Sequence, residues 1–251
     1  MGRQRVLVTG LSGLIGGAVR EHVGGAWDLT GLNRRPVPGV VCRQADIADL
    51  EAMLPAFTGI EVVVHLAALA NSSAPFADIQ RANVEGTYNT FEAARRAGAR
   101  RIVYASSGAT VSGWEREMPY VALVEGRYDQ VREWRRITPE MPPRPTALYG
   151  ASKVWGEALA RYWADAHGLS MICLRIGHVV AEDRPLTPRD FSVWCSRRDI
   201  ARAIERAVAA PADLRFATVF VNSDNRWGYR DLEPTRQTLG WTPLDRAEDH
   251  R

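Results

Sequence analysis

The sequence predicts an α/β protein built on one doubly wound parallel sheet, and three observations carry that expectation. Apolar, β-rich runs alternate with helical segments from end to end, the pattern that lays helices on both faces of a parallel sheet. The first run, Val6-Leu7-Val8, passes at once into a turn holding Gly10, Gly13 and Gly16, and then into a helix. The 251 residues suffice for one large domain with a sizeable core, or for one with a small appended lobe.

The first strand is expected over residues 5–9 and the first helix over 13–23. A buried strand feeding such a turn leaves backbone N–H groups unpaired at the positive end of a helix, and glycine lets a pyrophosphate approach the main chain. The contacts expected there are Gly10, Ser12, Gly13, Leu14, Ile15 and Gly16, the dinucleotide seat of a Rossmann-type fold. A glycine triplet alone also fits a plain βα turn.

The second strand, residues 27–33, ends in Asn33-Arg34-Arg35 before Pro36 and Pro38. About 20 residues beyond the glycines a carboxylate commonly binds the adenosine ribose of NAD. Here that carboxylate is absent and two guanidiniums follow, which favours a 2′-phosphate and so NADP over NAD. Asn33 can still bond a ribose hydroxyl, and NAD stays open.

Residues 40–42 form a short third strand, followed by Asp46-Ile47, a pair suited to an adenine edge. Asp49 reads as the N-cap of a helix running to Phe57. Residues 61–68 are the clearest buried strand; Leu66, Ala67 and Ala68 at its end would let the cofactor backbone pass close by, and His65 reads as a packed strand residue. A helical pattern over 75–97 stops at Gly98 and carries Asn83 inside it. The fifth strand, 101–105, presents Ser106, Ser107 and Gly108 at its C-terminal end, where open parallel sheets bind ligands. Residues 112–145 are irregular and too long for an ordinary connection, and read as a partial lid on the substrate side. A helix over 148–167, a strand over 171–176, a helix over 199–209 and a strand over 218–221 complete the chain. The expected division is a dinucleotide-binding domain over 1–177 and a small substrate lobe over 178–251, in one compact unit.

A net charge of +3 with 24% charged residues points to no nucleic-acid and no membrane partner, and Arg132, Arg135 and Arg136 read as a solvated face. No run of 18 apolar residues occurs. The cysteines, Cys42, Cys173 and Cys195, lie far apart with no metal-ligand spacing, so no metal is expected and a reducing cytoplasm suits them.

Tyr149 and Lys153 stand four apart and share one helix face. A phenol is a poor base at neutral pH, but a neighbouring ammonium and a ribose hydroxyl would favour the phenolate. Such a tyrosine can take the proton of a substrate hydroxyl while hydride leaves the same carbon, with Ser107 orienting the oxygen. By chance alone Tyr-x-x-x-Lys is common; about 40 residues past a strand-terminal Ser-Ser, and downstream of a glycine-rich turn, it gains weight.

Together, Thr9-Gly-Leu-Ser-Gly-Leu-Ile-Gly16, Asp46-Ile47, His65-Leu-Ala-Ala68, Asn83-Val-Glu-Gly-Thr87, Ser106-Ser107 and Tyr149-Gly-Ala-Ser-Lys153 resemble the extended short-chain dehydrogenases/reductases of the epimerase/dehydratase superfamily, over essentially the whole chain. Leu174-Arg-Ile-Gly177, Trp194-Cys-Ser-Arg-Arg-Asp199, Ser223-Asp-Asn225 and Leu239-Gly-Trp-Thr-Pro243 are similar to its branch of uronate and hexose-6-phosphate dehydrogenases. The resemblance implies a catalytic set of Ser107, Tyr149 and Lys153, with Asn83 ordering the lysine and a water. It implies that Tyr149, Lys153 and Ile176 touch the cofactor, and that Ser106, Ser107, Gly108, Tyr149 and His178 touch substrate. It also implies that Arg189, five residues before Trp194, grips the substrate's anionic group.

Two departures bear on the substrate. The branch's Asn-His after the serines is Gly108-Ala109 here, and its glycine-rich loop after the fourth strand is Ala68-Leu69-Ala70. Each lost polar contact would leave a sugar hydroxyl unpaired, at a cost of about 1–3 kcal/mol.

The expectation is an NAD(P)-dependent oxidoreductase, NADP slightly favoured, moving hydride to or from a sugar or sugar-acid-like alcohol. A nucleotide-sugar epimerase or dehydratase, a carbonyl reductase, and a non-catalytic dinucleotide-binding regulator are the alternatives. Alanine-rich helical segments around 83–97 and 149–166 suit a homodimer interface.

Overall fold

The computed structural model describes residues 2–250. Seven strands, each parallel to its neighbours, form one sheet in the order β3-β2-β1-β4-β5-β6-β7. They are β1 Arg5–Thr9, β2 Asp28–Asn33, β3 Val41–Gln44, β4 Val62–His65, β5 Arg101–Ser107, β6 Ser170–Ile176 and β7 Phe216–Val221. The winding reverses between β1 and β4, and the crevice at their C-terminal ends is where sheets of this kind bind ligands.

Side chains alternate along each strand and both faces are buried, which explains the near-continuous apolar runs. Val6, Val8, Val62, Val64, Ile172 and Leu174 pack on one face in a cluster with Val19 of the Leu14–His22 helix and Ile200 and Ile204 of the Arg197–Val208 helix. Leu7, Val63, Ile102 and Met171 take the other, with Phe91 and Trp163 from the Gly86–Arg96 and Leu148–His167 helices. Buried Arg101 caps a helix end: its guanidinium donates to the carbonyls of Ala207, Val208 and Ala210 (3.4, 3.1 and 2.6 Å).

Two separated stretches of the chain pack on one another apart from these two clusters. Val111, Tyr120, Leu123, Val131 and Ile137 pack with Val193, Phe220, Tyr229 and Leu232 in a third apolar cluster. The 112–145 stretch, which carries the Tyr120–Val124 helix, thus shares a packed apolar interior with residues 193–232.

Three local differences from the sequence reading matter. β5 continues two residues further, through Ser107. The 75–97 helix is three pieces, Phe76–Ile79, a π-helical Gln80–Glu85 and Gly86–Arg96. The Glu233–Leu239 helix, which ends at a left-handed Gly240, is too short to announce itself by periodicity.

Candidate active site

A cavity of about 580 Å³ opens at the switch point, lined by Gly10, Ser12, Gly13, Asn33, Arg34, Arg35, Asp46, Ile47, Leu66, Ala67 and Ala68. Gly10 has φ +74°, and a Cβ there would sit 2.7 Å from the Ala67 nitrogen. Only glycine lets β1 and β4 approach so closely at the cavity floor. Gly13 is the N-cap of the Leu14–His22 helix and supplies no capping side chain, so the first N–H groups, Leu14 and Ile15 among them, have no capping oxygen there. A cradle of this shape and polarity fits a pyrophosphate. Gly16 does something else: it packs on Leu11, whose carbonyl oxygen would lie 2.5 Å from a Cβ, and it does not line the cavity.

At the far end, the Asn33 amide donates to the Arg35 carbonyl (3.3 Å) and holds the turn after β2. Arg81, which sequence reasoning missed, also lines the cavity and pairs with Asp46 at 3.0 Å. Ala48's N–H, offset by partial burial and then helped by Arg81 and Arg34, holds the Asp46 carboxyl below its usual range.

Ser107, Tyr149 and Lys153 converge at the end of β5. Tyr149 stands in the first turn of the Leu148–His167 helix, near enough to Ser107 for the serine to favour the phenolate. The Ser107 hydroxyl oxygen accepts from the Ala109 N–H at 3.1 Å. One helical turn on, buried Lys153 donates from Nζ to the Ala105 carbonyl at 2.7 Å, with Nζ 5.8 Å from the Tyr149 ring centroid. Burial brings the Lys153 ammonium down to about 7, against the pull of Glu157. Burial also pushes the Tyr149 phenol up, and Ser107 only partly offsets it.

Asn83 sits on the π-helical stretch. It accepts from the Leu69 N–H (2.7 Å), donates to the Leu69 carbonyl (3.2 Å), and donates to Ser152 Oγ (3.0 Å), whose hydroxyl donates to the Tyr149 carbonyl (2.7 Å). Its bonds thus go to the tyrosine's helix and the loop after β4, and none goes to Lys153. His65 is fully buried between Thr9 (2.7 Å) and Thr87 (3.2 Å), and burial, with Lys153 nearby, brings it down to about 3. It is neutral structural packing.

Two expected substrate contacts are corrected. Ser106 and Ser107 are successive strand residues and point to opposite faces; Ser106 is buried and donates to Glu157 at 2.5 Å, a carboxylate also held by both Arg175 nitrogens (2.9 and 2.8 Å). Gly108 is covered by Arg230, whose guanidinium would stand 2.2–2.3 Å from a Cβ. Ile176 is buried in the core beside Ser107 in the β5–β6 register.

Arg189 is not free. Its Nε and Nη2 donate to the two oxygens of Glu115, each at 2.7 Å. Glu115 also accepts from the Tyr229 hydroxyl and lies 3.8 Å from the buried Arg230. Burial alone would raise its carboxyl, but Arg189, Arg230 and Tyr229 together hold it below the usual range. Next along the chain, buried Asp190 is 2.6 Å from His178 Nδ1 and accepts from the Leu186 and Thr187 N–H groups (both 2.9 Å). These contacts overcome its burial and bring it to about 2.

The profile of the NAD dependent epimerase/dehydratase family matches residues 6–209. The chain belongs to that family. It is 32% identical over 256 residues to the NAD-dependent glucose-6-phosphate dehydrogenase of Haloferax volcanii, covering 98% of this chain and 95% of that one. It is equally 32% identical over 252 residues to the L-arabinose 1-dehydrogenase (NAD(P)(+)) of the same organism, covering 97% of each. The crystal structure of uronate dehydrogenase from Agrobacterium tumefaciens superposes with a TM-score of 0.83 at 33% identity, over 100% of this chain and 88% of that one. The protein is thus an NAD(P)-dependent oxidoreductase of the extended short-chain dehydrogenase type.

Within this epimerase/dehydratase fold, sequence reasoning missed Arg81, Glu115 and Arg230. Arg81 had a local signal, standing two residues before Asn83 in the same helical pattern. Glu115 and Arg230 had none, since 74 residues separate Glu115 from Arg189 and 114 separate it from Tyr229. Among the described residues no cluster of metal-ligating side chains occurs, and no helix is long and apolar enough to cross a membrane.

Proposed function

We propose that the protein oxidises the anomeric carbon of an aldose or aldose derivative to a lactone. The observation that carries this reading is Lys153 one helical turn beyond Tyr149, its Nζ 2.7 Å from the Ala105 carbonyl and 5.8 Å from the Tyr149 ring centroid, at the strand end that presents Ser107. When bound, the nicotinamide supplies the hydride acceptor. Tyr149 takes the proton of the reacting hydroxyl, and Ser107 donates to the same oxygen and fixes its position. Lys153 lends positive charge next to the phenol, and the Ala105 carbonyl fixes its direction. Asn83, through Ser152, holds the turn that presents Tyr149. Gly10, Ser12 and Gly13, with Leu14 and Ile15, carry the pyrophosphate.

The relatives' names support a sugar substrate, one being NAD-dependent and one using NAD or NADP. Arg34 and Arg35 at the adenosine end support NADP, as does the missing carboxylate after β2. A homodimer and a cytoplasmic location go with the reading: Tyr88 and Tyr162 stand exposed on the two alanine-rich helices, and all three cysteines are free thiols. Tyr149→Phe should lower turnover by about 10²–10⁴-fold and leave cofactor affinity nearly unchanged, since only the proton acceptor is removed. Steady-state rates paired with cofactor titration check it, and an unchanged rate sinks the mechanism.

A further inference from the structure

A guanidinium meant for a substrate anion should have its hydrogen-bonding edge open towards the ligand. Arg189 is 37% exposed, yet its Nε–Nη2 edge is filled by both oxygens of Glu115. Glu115 belongs to the Gly108–Arg116 helical stretch that follows Ser107 directly. Its partners fix it there: the Tyr229 hydroxyl on one oxygen, and Arg230 at 3.8 Å. Arg230 in turn lies against the Gly108 main chain, next to Ser107, and is 2% exposed, so its charge is turned inward. Asp190, adjoining Arg189, is likewise buried and ionised. Two guanidiniums therefore face two carboxylates, and this end of the site is balanced before any substrate arrives.

We infer that Glu115 is a built-in substitute for a substrate carboxylate or phosphate, and that it makes the enzyme select neutral aldoses over uronates and sugar phosphates. An incoming anion would meet the ionised Glu115 at the same guanidinium and be repelled. Expelling Glu115 would leave a nearly buried carboxylate without its bidentate partner. A sugar hydroxyl meets neither obstacle, because it can accept from Arg189 Nη1, which makes no bond among the described residues, and from or to the half-exposed ring of His178. The apolar Ala68-Leu69-Ala70 and the loss of side chains at Gly108-Ala109 run the same way, towards a less polar ligand.

This inference rests on the aldose dehydrogenase reading, and the experiment separates the two. Initial rates are measured with saturating NAD and NADP on D-galactose and L-arabinose, and on D-galacturonate and D-galactose 6-phosphate. Wild type, Glu115→Gln and Glu115→Asp are compared, with thermal-shift titrations of the same sugars in parallel. The wild type should favour the neutral aldose in kcat/KM by tenfold or more. Glu115→Gln should cut or invert that ratio by tenfold, chiefly through a lower KM for the acid, and should gain thermal stabilisation by galacturonate that the wild type lacks. Glu115→Asp, which keeps the charge, should restore the wild-type preference. A wild type that prefers the acid, or a ratio and a galacturonate shift unchanged in Glu115→Gln, overturns the inference. No oxidation of any sugar, with the galacturonate shift still gained in Glu115→Gln, upholds the role of Glu115 and overturns only the dehydrogenase reading.

Discussion

Lys153 shows how a single residue is held in an unfavourable state for use. Its ammonium is buried against the Ala105 carbonyl and brought down to about 7 from 10.5. Between those values the unfolded chain binds the proton that the folded chain releases, so stability rises with pH across that window. Without cofactor, the wild type should gain about 2 kcal/mol between about pH 7 and about pH 9 relative to Lys153→Met, which has no charge to shed. Denaturant titrations at several pH values check this, and parallel curves for the two proteins contradict it. Gly10 makes the complementary case for geometry: at φ +74°, with Ala67 2.7 Å from any Cβ, it admits no side chain. Gly10→Ala should cost about 1–2 kcal/mol from the backbone conformation alone, and more from the clash. It should also weaken dinucleotide binding in a titration followed by fluorescence.

At the scale of elements, legibility followed the range of the interaction. The strand–turn–helix around Gly10–Gly16 and the four-residue spacing of Tyr149 and Lys153 are local, so periodicity alone finds them. Ser106 and Ser107 were legible as a pair but not as individuals, because which one faces the site depends on β5 continuing through both. The π-helical turn at Gln80–Glu85 is invisible to a 3.6-residue pattern, and with it the bonds of Asn83 to Leu69 and Ser152. The Arg189–Glu115–Arg230 cluster joins three distant stretches, and no window of sequence contains it. The turn after β2 carries its own prediction. If Arg34 and Arg35 bind a 2′-phosphate, replacing both by Ser should raise the KM for NADP by about tenfold or more and leave that for NAD nearly unchanged. Equal effects on both cofactors would assign the arginines elsewhere.

For the whole molecule, one sheet serves two unlike ends. β1, β4 and the Leu14–His22 helix make a cradle at the switch point, while the end of β5 and the Leu148–His167 helix bring Ser107, Tyr149 and Lys153 together. A separate apolar cluster joins residues 111–137 to 193–232. A dehydrogenase sends the hydride out of the site on a dissociable carrier, whereas an epimerase returns it to the sugar. The most direct test follows reduced nicotinamide absorbance after mixing the full chain with NAD or NADP and each aldose, uronate and sugar phosphate of a panel. Net reduction in proportion to sugar consumed, over many turnovers, is the predicted result. Sugar interconversion without net reduction, or binding of the cofactor with no turnover of any sugar, would contradict it.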